Sequence, residues 1–167
     1  MKTKIKYVVS FLFFFIVISC NHKKFPLNGT LVSTDNFKIL WQKASDKLPE
    51  NVAKIIYLEV SSFRNTCFGE CPLGQPLVVS IDMIFKNNII NLSKYNITNI
   101  WVRYGNTVWQ PESLKTKVIN PPELRKKVDA RTGPLWPIFS HIDIIIEIQT
   151  LYQRFYIKKK QIEILKG

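Results

Sequence analysis

The chain has 167 residues, 46% of them hydrophobic, and its 24 lysines and arginines outnumber 12 aspartates and glutamates to give a formal charge of +12. That is the size of one ordinary domain with a buried core, and the charge favours anionic partners. The sequence carries no RNA- or DNA-binding motif and no glycine-rich phosphate loop, and with only His22 and His141 it is poorly equipped for a histidine-rich metal site or a Ser-His-Asp hydrolase.

Lys2, Lys4 and Lys6 precede an apolar run from Val8 to Ile18, broken only by Ser10 and followed by Val17-Ile18-Ser19-Cys20. A basic start, a short apolar core and a small residue before the cut make a secretory signal, and the run is well short of the roughly 20 apolar residues of a membrane span. These residues resemble a bacterial lipoprotein signal with its lipobox. The resemblance implies cleavage after residue 19, a lipid on the Cys20 thiol, and residence in the bacterial cell envelope, tethered to a membrane. Residues 20–30 then read as a lipidated tether and residues 31–167 as the folded domain. The removed segment holds three lysines and no acid, so the remainder stays strongly basic. Phospholipid headgroups, acidic polysaccharide or an acidic protein would be natural partners, although the same lysines also suit a plain solvated surface.

Phe37, Leu40, Trp41, Ala44 and Leu48 recur at helical intervals behind Thr34 or Asp35 as cap, predicting one short helix that ends near Pro49. The period then becomes two, the mark of strands with one buried face. Strands are predicted over 54–63 and 77–85, the second closed by a turn at Asn87-Asn88. Thr98–Tyr104 and Thr107–Trp109 should pair as a hairpin across Gly105-Asn106. Ile142, Ile144, Ile146 and Ile148 alternate with Asp143, Ile145 and Glu147, so the first set should face the core and the second outward. Residues 153–158 and 161–165 read as closing strands. Five of the nine prolines lie between Pro111 and Pro137, together with the basic cluster Arg125-Lys126-Lys127, which reads as loop and edge strand. About seven short strands with one long connection predict a mainly β domain, an antiparallel immunoglobulin-like β-sandwich with one short N-terminal helix. The alternative is a partly open barrel.

Cys67-Phe68-Gly69-Glu70-Cys71-Pro72 is the most compact motif. Outside the cytosol Cys67 and Cys71 can pair as a disulfide, which over so short a loop contributes about 2 kcal/mol or less. The segment resembles the CFGxCP stretch of small uncharacterised bacterial lipoprotein domains, a likeness that implies no activity. Cys-x-x-x-Cys-Pro is also similar to the copper motif of Sco-type copper chaperones, which would make Cys67, Cys71 and His141 ligands for Cu(I). Against this, Pro72, Gly74 and Pro76 interrupt the helix that fold needs after the motif. A third reading makes one of the thiols a nucleophile with His141 as base.

Trp101, Arg103, Tyr104 and Trp109 surround the Gly105-Asn106 hairpin, and Trp136 precedes the isoleucine strand. Aromatic side chains of this kind can stack on sugars or anchor a protein, but at least two of the four tryptophans should be core. No carboxylate pair stands out for glycoside chemistry. The sequence thus predicts a lipid-anchored, non-catalytic binding module without a cofactor. Its partner would be an envelope protein, including a toxin to be neutralised, or an anionic glycan. The alternative is a copper or thiol redox protein.

Overall fold

The computed structural model describes residues 27–65, 74–86, 91–119 and 124–167. The signal, Cys20, the Cys67 to Cys71 motif and the Asn87-Asn88 turn lie outside the described residues.

The protein is mainly β. Its strands are β1 (Thr30–Val32), β2 (Ile56–Arg64), β3 (Leu77–Phe85), β4 (Tyr95–Tyr104), β5 (Thr107–Gln110), β6 (Lys115–Ile119), β7 (Arg125–Gly133), β8 (His141–Thr150) and β9 (Arg154–Lys166). They form one nine-stranded sheet in the order β1-β5-β4-β8-β9-β2-β3-β7-β6. All pairings are antiparallel except β2 with β9. The sheet curls into a half-barrel. The mainly β expectation is met, but the two separate sheets of an immunoglobulin-like sandwich are not there, and the partly open barrel lies nearer the observed form. The reason is β9: the two predicted closing strands are one 13-residue strand that bends at Gln161 (φ 54) and joins both halves of the sheet.

Period-two alternation builds the core. Leu77, Val79, Ile81, Met83 and Phe85 of β3 share one apolar cluster with Ile142, Ile144, Ile146 and Ile148 of β8. The curl brings the two lips of the sheet together. Asn28 N–H donates to the Thr132 carbonyl at 3.0 Å, and Lys126 Nζ donates to the Tyr95 carbonyl at 3.0 Å and to Asn96 Oδ1. Residues 125–133, predicted as loop and edge, are therefore a paired strand, because the prolines fall around β7 and not within it. Lys126 of the basic cluster points inward and is 9% exposed.

The helix forms as α1 (Thr34–Lys43), capped by Ser33, whose hydroxyl accepts from Asp35 N–H at 3.2 Å. It stops before Leu48, and a second turn of helix, α2 (Glu50–Ala53), follows Pro49. α1 lies on the outer face of β8, β4 and β5, where Phe37 and Ala44 pack with Val108 and Ile145. Ile145, expected to face outward, is consequently fully buried. Glu147 on the same face is buried as well, with Oε2 accepting from Asn99 Nδ2 at 2.6 Å and Oε1 lying 2.8 Å from Arg154 Nε.

Candidate functional site

β2 and β9 pair only at one end, Ser62–Arg64 against Ile164–Lys166. Beyond that the strands part. On its other side β2 remains paired with β3 along Ile56–Phe63, so the gap opens between β2 and β9 alone. The bend in β9 accounts for the split. At Gln161 the backbone N–H donates to the Asp143 carboxylate at 3.2 Å, and the register with β8 shifts between Ile142 and Ile144. The facing edge of β9 is covered instead by the link between the helices: Ser45 N–H donates to the Tyr156 carbonyl and Lys158 N–H to the Ser45 carbonyl, both at 2.9 Å.

The opening is a groove of about 550 Å³, within the usual range of ligand sites. Ile56 and Ile157, both core residues, floor it together with Leu58. Its rim is charged. Lys86 donates to the Ala53 carbonyl at 2.7 Å, Glu50 pairs with Lys54 at 3.0 Å, and Asp46 lies 3.7 Å from Lys160. Lys47 and Lys159 have no carboxylate partner among the described residues. Lys159 occupies a telling position. Phe155 and Ile157 of β9 pack toward the core, and Lys159, next in that alternation, lines the groove where the core opens to solvent. An apolar floor with two uncompensated ammonium groups suits a ligand that is partly apolar and carries negative charge.

The predicted binding residues are elsewhere, and they do not share one surface. Trp101 and Arg103 lie on the outer face by α1, where Trp101 meets Tyr156 at 6.2 Å. The Arg103 guanidinium sits 5.0 Å from the Phe37 ring centroid and 5.5 Å from that of Trp41. Tyr104 packs on the inner side against Trp136 at 5.6 Å. Trp109 is fully buried and Trp136 is 9% exposed, so at least two tryptophans belong to the core, as the sequence suggested. His141 is exposed at the end of the sheet where β2 stops and β3 begins. It thus stands near the attachment points of the segment carrying Cys67 and Cys71, themselves outside the described residues. Among the described residues no cluster of three or more histidine, cysteine or carboxylate side chains is placed to hold a metal.

Arg64 closes that same end from within. Its Nε donates to the Gln75 carbonyl at 2.9 Å and Nη1 to the carbonyl of Trp136. Burial pushes its guanidinium pKa down, and does the same to the Lys126 ammonium. These cations tie loops and lips together, whereas the groove lysines face solvent.

The groove residues could not have been picked from spacing. Lys158-Lys159-Lys160 is a visible run, but that one of the three lines an opening in the core depends on where β9 leaves β2. Comparison of the chain with protein-family models, curated proteins and solved structures finds no match.

Proposed function

We propose that the protein is a lipid-anchored bacterial envelope protein, held to the membrane through Cys20, that works as a non-catalytic binding module. The groove between β2 and β9 is the binding site, and the observation that carries this reading is the unpaired Lys47 and Lys159 over an apolar floor. The basic charge of the chain agrees with an anionic partner. An envelope protein, including a toxin held inactive, suits the aliphatic floor of Ile56, Leu58 and Ile157, and an anionic glycan would find the exposed Tyr57 ring to stack on.

Anchor and binding are tested together in bacteria expressing the full chain. Cys20→Ala should abolish incorporation of labelled fatty acid. A photo-crosslinking amino acid at Tyr57 should trap a partner in the wild-type envelope that the same probe at Val118, on edge strand β6, does not. Equal trapping at both positions would defeat the groove as the site, and substrate turnover lost in Cys67→Ser would defeat the non-catalytic reading.

A second reading, copper or thiol redox chemistry through Cys67, Cys71 and His141, draws on the position of His141 at the end of the sheet where the motif is attached. Tight one-to-one Cu(I) uptake that disappears in Cys67→Ser would favour it over binding.

A further inference from the structure

We infer that the end of the half-barrel closed by residues 134–140 rests on the lipid bilayer that carries the Cys20 anchor, with Leu135 and Phe139 dipped into its headgroup layer. The inference rests on the lipid-anchor reading above and adds the orientation of the domain.

The link from β7 to β8 caps one open end of the curled sheet, and its residues alternate. Trp136 and Ile138 turn inward and pack with the core, Trp136 against Tyr104 at 5.6 Å. Leu135, Pro137 and Phe139 turn outward, and all three are exposed. The outer side of the cap is thus apolar as well, with Leu135 46% and Phe139 62% exposed. Exposed Leu165 joins them, since the Phe139 N–H donates to the carbonyl of the neighbouring Ile164 at 2.8 Å. A contiguous apolar patch of this kind marks a contact with a protein or a membrane.

The patch is also held rigidly. Phe139 sits at φ 61, a left-handed backbone that is an outlier for a bulky residue. Ile164 N–H donates to the Ser140 carbonyl at 2.8 Å, Ser140 Oγ to the Pro137 carbonyl at 2.5 Å, and Arg64 to the carbonyl of Trp136. Backbone strain fixed in this way collects at functional sites.

The path of the chain selects the membrane as the occupant. Asn28 N–H donates to the Thr132 carbonyl at 3.0 Å, beside Gly133, where the capping link begins. Cys20 precedes exposed Leu27 by seven residues, a stretch that spans at most about 25 Å. A lipid on Cys20 therefore keeps this end of the domain within that reach of the bilayer. Lys23 and Lys24 lie in the same stretch, and anionic headgroups attract them. The groove stays clear: Ile56 and Leu58 lie six to eight residues before Arg64 along β2, roughly 20–27 Å from the capped end. Leu151 and Tyr152 are exposed too, but at the far end of β8.

The test uses the full lipidated chain in vesicles of phosphatidylethanolamine and phosphatidylglycerol whose acyl chains are brominated near the headgroup. A fluorescent amino acid stands at Leu135, Phe139 or Tyr152 in separate chains. Emission at Leu135 and Phe139 should fall at least about twofold, because apolar side chains at an interface reach about 5–10 Å into it. Emission at Tyr152 should not change. Phe139→Gly should keep an unfolding midpoint equal to or above that of wild type, since glycine takes a positive φ freely, yet it should weaken quenching at Leu135. Undiminished quenching there, or quenching at Tyr152 as strong as at Phe139, would overturn the orientation. So would Phe139 emission that follows protein density and not bromine, which would give the cap to a second copy or another protein. If the chain incorporates labelled fatty acid and floats with the vesicles while Phe139 stays unquenched, the anchor stands and the orientation falls. If no fatty acid is incorporated, both fall.

Discussion

Gly133 at the end of β7 lies flat against the indole of Trp109 on β5, so close that a Cβ at Gly133 would stand 2.7 Å from Cζ3 of that ring. This contact joins opposite lips of the curled sheet. The same indole donates through Nε1 to the Asn28 carbonyl at 3.0 Å, and Asn28 in turn bonds to Thr132. Lip closure thus depends on a missing side chain.

Gly133→Ala should therefore destabilise the protein by about 1–3 kcal/mol, the usual cost of overfilling a packed site. Urea unfolding followed by tryptophan fluorescence measures it. A midpoint equal to that of wild type would mean the lips part without consequence.

Arg103 fastens α1 to the sheet, stacked on Phe37 and Trp41 and paired with Asp143 at 2.5 Å. Arg103→Ala should cost about 1–2 kcal/mol. Amide exchange in Thr34–Lys43 should quicken more than exchange in β3, whose core packing does not involve α1. Uniform acceleration across both elements would show that the helix does not open independently of the sheet.

Burial alone would raise the pKa of Asp129, but hydrogen bonds from Arg131 and Ser80, with the charge of Lys127, outweigh it and hold the carboxyl below the ordinary value. A carboxyl depressed in the folded state stabilises that state above its unfolded pKa of about 4 and loses the contribution as pH falls through the lower folded value. Asp129→Asn should lower stability at neutral pH and flatten the acid side of the stability profile. Unfolding midpoints taken from neutral pH down to about pH 3 would reveal it, and a parallel profile would count against the assignment.

Gln161 holds a left-handed backbone at φ 54 in the middle of β9. Gln161→Gly should be neutral or stabilise by up to about 1 kcal/mol, whereas Gln161→Val, branched at Cβ, should cost more than that. If the valine variant is as stable as the glycine variant, the bend is not local to this residue.

Elements with strong local patterns were readable from sequence. β3 has the bounds its alternation predicts, and the hairpin turns at Gly105-Asn106 with Tyr104 opposite Thr107. Apart from the early end of α1 at Lys43 and the bend within β9, the readings that differ involve partners far apart in the chain. Ile145 looks outward until α1, a hundred residues earlier in the sequence, covers it. Arg125-Lys126-Lys127 reads as loop and edge strand until Lys126 is found reaching across to β4. Whether strands form two sheets or one depends on a parallel contact of three residue pairs between β2 and β9, which no periodicity encodes. The groove arises from that same contact and was invisible for the same reason.

β8 and β9 come last in chain order, yet β9 stands at the centre of the sheet, fifth of nine strands. Everything synthesised earlier makes two pieces of sheet, β1-β5-β4 and β2-β3-β7-β6, which touch at the lips but lack the strands that hydrogen-bond them into one. Such long-range closure is slow. The half-barrel therefore cannot be completed until nearly the whole chain is available.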